Sequence, residues 1–542
     1  MREENYNAVK ANLFGIGIGG VLAPLTAYVS LKTGLMLPFL PLVAILGFVL
    51  LSVVGSYSKE ENNISLATAT GCIIAIYGAS GAIIALILFQ GETFTLDIVI
   101  LGIIMSVLAS FLGIFISYNT RDQWILKEQL AFPGGTAAAV LIKSLGEVGG
   151  RRFKILFYGF VIGFILYMVV DVLELIPSNP LAALGLPVFI GIEISALAFG
   201  LGYIISWRPS ALVFVGSLYS IVIWGVAGRG TVTSFGTHLF QPEILSVGAA
   251  LLVTASLVSL VQMRATGVSM MKGTQSRLHS FIKSRPVIIT VVIICVIAAY
   301  LGVSLLHINP LVGILSGLFA VLAGIFCIKS AGETGILPAA TIGMLVLIVA
   351  ALLLRDLAGT LFLAALVTQV GIICGFTVST FKVGHLVGVS AQKIARSLLL
   401  GAVIGAPLGV GVLYVLFSAY GFGTEELPSP GPVVWGATAQ AIIEGGSDVI
   451  KVSYAGAAAI AAAVMSFFNI SAISVGIGAI IPPAISSTIF LGGITSLIVK
   501  KRLPEADYTT KHQDMVIFSS GLITGEGIAI IAFTLLHVVG IF

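Results

Sequence analysis

Two glutamates stand deep inside long apolar stretches of the sequence, and their side chains could carry protons. Glu526 lies far from both ends of the stretch 516–539, and Glu193 lies within the stretch 186–206. An ionisable side chain in hydrocarbon costs at least about 2.5–3.5 kcal/mol, so each is a functional candidate by default. Burial favours the neutral carboxyl group, which can load and release a proton. We predict proton coupling by Glu526 and Glu193; the alternatives are a protonated structural acid for Glu526 and a loop-end position for Glu193.

Basic side chains flanked by apolar runs could meet the carboxylate of a substrate. Lys32 precedes a Thr-Gly pair between two apolar runs, and Lys382 and His385 occupy a similar position later in the chain. The alternative for each is a side chain that extends to the membrane surface. Glu333 lies in the short link 329–335, which is either a surface loop or an unwound segment of a site. The predicted substrate-binding residues therefore include Lys32, Lys382, His385 and Glu333.

No combination of residues in the sequence indicates a catalytic or metal centre. The aspartates are isolated, neither HExxH nor GxSxG occurs, and no two histidines lie at metal-ligand spacing. The four cysteines stand singly in apolar runs, which suggests neither a zinc site nor disulfides. A phosphate-binding GxxxxGKS/T loop is absent, which disfavours a primary pump. We predict no enzyme, no metal site and no cofactor; a passive channel and an intramembrane enzyme are the alternatives to a secondary transporter.

Composition indicates the elements that carry these residues. Of 542 residues, 58% are hydrophobic and 9% are charged, whereas a soluble domain carries about 25% charge. Long continuous apolar runs, as in 287–306, favour helices over the alternating strands of a barrel. We predict an all-α integral membrane protein with about 14–16 transmembrane helices, multi-pass in the inner (plasma) membrane.

Basic loops indicate the cytoplasmic side of the membrane. The loop 261–286 carries five basic residues and no acidic one, and 151–154 and 500–502 are also basic. The loop 418–432 holds two glutamates and three prolines but no base, so we predict it outside. The net charge of +4 is too small and too spread out to suggest nucleic acid as a partner.

This orientation requires an odd number of crossings between 418–432 and 500–502. Either 433–443 crosses the membrane, or the apolar stretch 455–481 is broken near 468–470. Helices broken within a membrane are tolerated where the freed backbone lines a cavity, and they are typical of substrate sites in secondary transporters. The pattern favours broken or re-entrant helices, with a plain kinked helix as the alternative.

One short motif occurs near both ends of the chain. The pattern TGxxIAI stands at 70–76 and at 524–530, and both copies follow a charged polar loop. With weaker pairings elsewhere, it indicates a duplicated chain, which is common in secondary transporters. We predict an N-terminal transmembrane repeat over 1–260, a basic cytoplasmic linker over 261–286 and a C-terminal transmembrane repeat over 287–542.

Seven collinear stretches carry a resemblance to a known family. They are AYVSLKTGL at 27–35, ENNI at 61–64, LAFPGGTA at 130–137, GLGYII at 200–205, FKVGHLVG at 381–388, IFLGG at 489–493 and SGLITGE at 520–526. Together they resemble the oligopeptide transporter family, which includes the yellow-stripe-like metal-chelate transporters. The resemblance implies helices from a duplicated unit and proton-coupled uptake of small oligopeptides or peptide-like metal chelates. The implied partners are that substrate, protons and membrane lipid; a homo-oligomer is left open.

The resemblance also implies a substrate role for one polar cluster. Glu61, Asn62 and Asn63 belong to the matching stretch ENNI. From the sequence alone, the two asparagines are explained as N-caps of the following helix.

The chain departs from the family pattern at two acidic positions. A glutamate is frequent in the family where this chain has Cys72, and an acid is usual where it has Gly134. Because these two acids are missing, Glu526 becomes the stronger candidate for the proton-coupling residue.

Overall fold

The described part of the chain is entirely helical in its regular elements. A computed structural model of the protein describes residues 2–36, 39–54, 57–91, 93–228, 232–258, 297, 309–335, 337–445, 450–502 and 504–538. None of these residues forms a strand, so the predicted all-α class is confirmed. The predicted linker 261–286 lies outside the described residues.

The helices follow one another with short connections. The first part of the chain contributes α1 (Arg2–Thr33), α2 (Phe39–Val53), α3 (Lys59–Ile74), α4 (Tyr77–Gln90), α5 (Leu96–Asp122), α6 (Pro133–Tyr167), α7 (Ala196–Ile205), α8 (Trp207–Ile223), α9 (Phe235–Leu239) and α10 (Pro242–Val258). The later part contributes α11 (Pro310–Thr334), α12 (Ala339–Leu354), α13 (Leu357–Val387), α14 (Ala391–Tyr420), α15 (Pro430–Glu444), α16 (Val452–Phe467), α17 (Ala472–Ala479), α18 (Pro483–Arg502) and α19 (Glu505–Val538).

Many of these helices have the length and composition of membrane spans. Within the described residues, nine helices are long and apolar enough to cross a membrane, and six shorter apolar helices accompany them. A span needs about 20 apolar residues, so the nine meet the requirement individually. The chain is a multi-pass membrane protein, and the predicted total of about 14–16 crossings stays a prediction.

Local sequence signals explain several helix ends. The side chain of Asp356 caps α13 by accepting a hydrogen bond from the backbone N–H of Gly359 at 2.7 Å. Asn309 caps α11 in the same way, and a proline opens that helix. Gly335 and Gly388 end α11 and α13 in the left-handed conformation.

The chain forms two compact units that draw on interleaved segments. The first unit consists of Met1–Pro24, Pro38–Gly149 and Ser256–Leu413. Its central helix is α13, which is buried along almost its whole length. The helices α3, α4, α5, α11 and α12 pack against α13. An apolar helix that is buried on all sides is expected at the core of a bundle.

The second unit consists of Leu25–Leu37, Gly150–Ala255 and Tyr414–Phe542. Within it, α18 packs against both α7 and α8, while α17 packs on α8 and α19 packs on α7. The predicted break near 468–470 is confirmed, because α16 ends at Phe467 and α17 begins at Ala472. The short helices α7 and α17 are the broken elements of this unit.

The two TGxxIAI copies have matching surroundings, one in each unit. In the first unit, a Cβ atom at Gly71 on α3 would lie 2.2 Å from the carbonyl oxygen of Leu398 on α14. In the second unit, a Cβ atom at Gly525 on α19 would lie 2.0 Å from the carbonyl oxygen of Phe160 on α6. Glycine permits this close approach of two helices in a membrane. The division into sequential repeats stays a prediction.

Candidate functional site

Three residues predicted from the sequence line one polar cavity in the second unit. Lys32, Glu193 and Glu526 are far apart in the chain, yet all three line this cavity of about 410 Å³. Glu426 and Asp171 contribute two more carboxyl groups. Its volume is within the range of about 300–1,000 Å³ that small-molecule sites occupy. We call this space the acidic cavity.

Lys32 lies at the centre of the charges in the acidic cavity. Its Nζ atom is 2.8 Å from Oε1 of Glu193 and 3.8 Å from Oε2 of Glu426. The same atom lies 5.9 Å from the ring centre of Tyr28, within the range of a cation–π contact. Lys32 is only 7% exposed, so its charge depends on these partners. It therefore faces the acidic cavity.

The end of α1 fixes the position of Lys32. The backbone N–H of Gly34 donates to the carbonyl oxygen of Ser30 at 2.9 Å, and Gly34 has φ of +70°, a conformation that ends the helix. The carbonyl oxygen of Leu31 accepts a hydrogen bond from the N–H of Ser429 at 2.8 Å. Lys32 is thereby held between the last turn of α1 and the residue that precedes α15.

Glu193 lies on an irregular segment, because the stretch 186–206 is helical only in its second half. Helix α7 begins at Ala196, so the loop-end alternative for Glu193 is the correct one. Gly191 has φ of +145°, and a Cβ atom there would lie 2.4 Å from Oδ1 of Asn179. A residue with a side chain could not take this position without strain.

The buried side chain of Asn179 holds the irregular segment in place. Its Nδ2 atom donates hydrogen bonds to the carbonyl oxygens of Val188 at 2.6 Å and Ile190 at 2.8 Å. These bonds satisfy backbone groups that a helix would otherwise have paired. From the other direction, the backbone N–H of Glu193 donates to the carbonyl oxygen of Ala484 at 3.1 Å. Glu193 is therefore presented to Lys32 by a non-helical segment that hydrogen bonds to Asn179 and Ala484 hold in place.

Glu526 on α19 meets the beginning of α7. Its Oε1 atom accepts a hydrogen bond from the hydroxyl of Ser195 at 2.7 Å, and its Oε2 atom accepts one from the backbone N–H of Leu197 at 2.9 Å. Ser195 is also the N-cap of α7, because its Oγ atom accepts from the N–H of Ala198 at 3.0 Å. The helix N-terminus and the two donors support the carboxylate, while burial to 5% exposure opposes it. This balance suits a group that exchanges a proton.

Close packing of α6 against α19 sets the depth of Glu526. GxxxG spacings at 159–163 and 521–525 face each other. A Cβ atom at Gly163 would lie 2.3 Å from the carbonyl oxygen of Leu522 and 3.1 Å from the backbone nitrogen of Glu526. Small residues at this spacing are the sequence signal of close helix packing in membranes. The two GxxxG spacings could therefore have predicted from the sequence that α6 packs against α19.

Sequence reasoning missed Glu426 and Asp171 as residues of the cavity. Glu426 belongs to the loop between α14 and α15, and Asp171 lies in the π-helical turn Met168–Val172 that continues α6. In the sequence, Asp171 is one more isolated acid near the end of an apolar run. For Glu426, the only sequence signal is that two adjacent glutamates lie in the loop 418–432, which has no basic residue to pair with them.

Glu425, beside Glu426, is affected by the same charges. Burial, together with the carboxylates of Glu426 and Glu193, raises the pKa of Glu425 to about 7, although the charge of Lys32 acts in the opposite direction. This part of the site therefore titrates near neutral pH.

The acidic cavity has more carboxyl groups than cationic ones. Its lining holds Asp171, Glu193, Glu426 and Glu526 against one lysine. Such a cavity attracts protons and cationic groups, and Lys32 can bind a carboxylate when one of its own partners is neutralised. Among the described residues, no group of three or more His, Cys, Asp or Glu side chains could hold a metal ion.

The predicted N-cap role of Asn62 and Asn63 is wrong. Helix α3 begins at Lys59 after the N-cap Ser58, so both asparagines lie inside the helix. The Nδ2 atom of Asn62 donates to the carbonyl oxygen of Ala44 on α2 at 3.0 Å. The two side chains are fully buried in the first unit, where they face neighbouring helices instead of the helix end.

Glu61 is also buried in the first unit. Its Oε2 atom lies 3.1 Å from Nζ of Lys10. The side-chain amide of Asn63, two residues further on, makes no hydrogen bond to any of the described residues. A substrate role for Glu61, Asn62 and Asn63 stays a prediction.

Three more predicted residues belong to the first unit and lie near helix ends. Lys382 donates from Nζ to the carbonyl oxygen of Leu130 at 3.0 Å, and His385 is exposed in the last turn of α13. Glu333 is exposed in the last turn of α11. The link 329–335 is therefore neither a loop nor an unwound segment, because α11 continues through it to Thr334. Substrate binding by these residues stays a prediction.

Cys72 occupies the position of Glu526 in the first-unit copy of the TGxxIAI motif. It is fully buried. A Cβ atom at Gly19 would lie 2.5 Å from the Cβ of Cys72, and one at Gly405 would lie 2.4 Å from its Cα. Cys72 therefore packs against α1 and α14, and this copy offers no carboxyl group at that position.

Comparisons with known proteins agree on one family. The family model described as "OPT oligopeptide transporter protein" matches residues 7–537. A "Putative oligopeptide transporter" of Haemophilus influenzae is 22% identical over 503 residues, which cover 77% of this chain and 78% of that protein. A protein of Saccharomyces cerevisiae with the same description is 28% identical over 261 residues, which cover 44% of this chain and 35% of that protein.

Proposed function

This chain belongs to the OPT oligopeptide transporter family, and from that premise we propose a secondary active transporter that couples uptake of small oligopeptides to protons. The observation that carries the proposal is the 2.8 Å ion pair of Lys32 and Glu193 in a cavity that Glu526 also lines. The proposed location is the inner (plasma) membrane of the cell.

The charges of the acidic cavity suit the two ends of a peptide. At neutral pH a peptide carries an ammonium group and a carboxylate. The ammonium group can approach Glu426, whose side chain is 56% exposed, and Asp171 beside it. The carboxylate can approach Lys32 in place of Glu193. An extended peptide can satisfy both groups at once within this cavity.

Proton coupling follows from competition for Lys32. While Glu193 is ionised, it pairs with Lys32 and opposes a second carboxylate. A proton that passes from Glu526 to Glu193 removes this pairing, and the substrate carboxylate can replace it. Proton and substrate then bind more tightly together than singly, which is a favourable coupling free energy. Such coupling is what symport requires.

Uptake into proteoliposomes tests this proposal. The vesicles contain the purified full chain, and a pool of tri- and tetrapeptides is offered with an inward proton gradient or without one. Accumulation above the external concentration is expected only with the gradient. Equal peptide flux that never exceeds equilibration would establish a passive channel and overturn the symport proposal.

A peptide-like metal chelate is the second candidate substrate. It presents amine and carboxylate groups like those of a peptide, and the excess of carboxyl groups in the cavity suits a chelate whose metal adds positive charge. The same vesicles can be offered an iron complex of an amino-carboxylate chelator. Gradient-driven accumulation of this complex without accumulation of peptides would assign the chelate as substrate.

A further inference from the structure

A second polar cavity of the second unit is lined by cations. It has a volume of about 700 Å³ and lies where α7, α8, α18 and α19 meet. Of the residues whose side chains the structure describes, Arg208, Lys500, Lys501 and His512 line it, and no carboxyl group does. We call it the basic pocket. An anion with several oxygen acceptors matches this lining, because guanidinium and ammonium groups bind phosphate oxygens strongly.

The charges of Arg208, Lys500 and Lys501 in the basic pocket are available to a ligand. Among the described residues, no ion pair occupies Arg208, Lys500 or Lys501. The acid nearest to His512 in the described part of α19 is Asp514, whose carboxylate is paired with Arg151. Three full positive charges therefore converge on one cavity, and no carboxylate among the described side chains lies in its lining.

The basic pocket lies at the ends of three candidate membrane spans. The span Trp207–Gly228 begins there, Pro483–Arg502 ends there and Lys511–His537 begins there. Trp207 is 37% exposed in the lining, and tryptophan is enriched at the boundary between headgroups and hydrocarbon. Ile204 and Leu497 give the same pocket an apolar wall. A pocket that combines cationic and apolar side chains matches a lipid, which has a charged headgroup and apolar chains, better than a soluble anion.

The corner between α7 and α8 holds an unusual backbone conformation. Ser206 alone separates the two helices, with φ of +70° and ψ of 173°. Non-glycine residues rarely adopt this conformation, which is strained. The strain turns the chain so that Trp207 and Arg208 face α18 across the pocket. This corner helps to shape the pocket, but the proposal rests on the charges of the pocket and on its position at the ends of the membrane spans.

We propose that the basic pocket binds the headgroup phosphate of an anionic phospholipid from the surrounding leaflet. Arg208, Lys500 and Lys501 contact the phosphate oxygens, while Trp207 and Leu497 contact the glycerol and the first methylenes of the acyl chains. The sequence predicts that the basic segments 151–154 and 500–502 lie on the cytoplasmic side of the membrane, and Lys500 and Lys501 of the pocket belong to the second of them. Anionic lipids are concentrated there, and clustered Lys and Arg side chains recognise them.

The bound lipid would join the helices that carry the acidic cavity. Helix α7 begins at the hydrogen bonds of Glu526 and ends at the pocket, and α18 runs from the residues that contact Glu193 to Lys500. Helix α19 passes from His512 to Glu526. A headgroup that bridges these helices stabilises their packing at the end opposite the substrate.

Fluorescence of Trp207 tests the proposal directly. The full chain in neutral detergent is titrated with phosphatidylglycerol that carries brominated acyl chains, which quench tryptophan on contact. Phosphatidylcholine with the same brominated chains is the matched lipid. We expect phosphatidylglycerol to quench at lower concentration, and the Trp207→Phe variant to lose that component of the quenching.

Charge variants supply the second measurement. The triple variant Arg208→Gln/Lys500→Gln/Lys501→Gln should need about 100-fold more phosphatidylglycerol, or about five-fold for each charge removed. The control variant Lys59→Gln/Lys127→Gln/Arg396→Gln removes three exposed charges of the first unit and should titrate like the wild type.

Three results would overturn the lipid assignment. One is equal quenching of the total tryptophan fluorescence of the wild type by both lipids, a measurement that does not depend on the folding of any variant. Another is an equal loss in the control variant, which would indicate general surface attraction. The third is displacement of phosphatidylglycerol by millimolar inorganic phosphate, which would indicate a site for a soluble anion.

Discussion

The carboxyl group of Glu526 accepts a hydrogen bond from the hydroxyl of Ser195 at 2.7 Å. Ser195 stands where the irregular segment that bears Glu193 passes into α7. The protonation state of Glu526 therefore acts on the residue that joins this segment to the helix. A neutral Glu526 gains less from the helix N-terminus than a carboxylate does, so its titration changes how firmly α7 is held.

Replacement of Glu526 by glutamine should uncouple transport from the proton gradient. Glutamine keeps an oxygen that can accept from Ser195 or Leu197 but cannot exchange a proton. We expect gradient-driven uptake to fall to background, while exchange of labelled for unlabelled peptide without a gradient persists. The measurement is paired uptake and exchange in the same vesicles.

The matched control for this variant is Glu444→Gln. Glu444 is exposed at the end of α15, so the same chemical change there should leave both uptake and exchange unaltered. Full gradient-driven uptake by the Glu526→Gln protein would remove Glu526 from the coupling mechanism.

Removal of Lys32 should destabilise the protein more than removal of an exposed lysine. Lys32→Met leaves Glu193 and Glu426 facing each other without a cation, and breaking one partner of a buried pair costs about 3–5 kcal/mol. We expect the low end of this range, because the side chain of Glu193 is 19% exposed. Thermal unfolding in detergent measures the change. Lys393→Met, which breaks an exposed pair with Glu60, should cost less than about 1 kcal/mol.

A double variant separates charge from packing at this pair. Lys32→Met/Glu193→Gln removes both charges, so much of the stability lost in Lys32→Met should return. If the double variant were less stable than the single one, unpaired charge would not explain the loss.

Asn179 should be required for the irregular segment that presents Glu193. Asn179→Ala leaves the carbonyl oxygens of Val188 and Ile190 without their donor, at about 1–3 kcal/mol for each buried group. We expect faster protease cleavage within 185–195, located by mass spectrometry, and reduced uptake. Asn119→Ala is the control, because that exposed side chain bonds only within its own helix. Equal cleavage in both variants would argue against a supporting role for Asn179.

Stability should fall as pH rises through neutrality because of Glu425. Its pKa is raised from 4.5 to about 7, so the folded protein favours the neutral carboxyl group. The resulting stabilisation is fully present below about pH 4.5 and is lost as pH rises through about 7. Thermal unfolding midpoints between these limits measure the slope. Glu425→Gln should flatten it, whereas Glu444→Gln, at an exposed helix end, should not. An unchanged slope in Glu425→Gln would assign the titration to another group.

Much of the site could be predicted because the cost of an ion in hydrocarbon is a local property of the sequence. Glu526, Glu193 and Lys32 stand out as charges within or between apolar runs, and the structure brings these three into one cavity. The same criterion also selects Lys382 and Glu333, which lie at helix ends in the first unit. The cost of an ion in hydrocarbon, judged from neighbouring residues in the sequence, does not distinguish a buried charge from one that reaches water at the end of a long helix.

The sequence by itself determined that this protein is a helical membrane protein of a transporter family. Continuous apolar runs leave the backbone no other way to satisfy its hydrogen bonds in lipid, and collinear motifs over the whole chain identify the family. Only the tertiary structure decided which charges meet. Lys32 reaches Glu193 because Asn179 holds an unwound segment beside the end of α1, and such a contact depends on packing between distant parts of the chain. The number of residues between Lys32 and Glu193 in the sequence does not indicate how close their side chains lie in the folded protein.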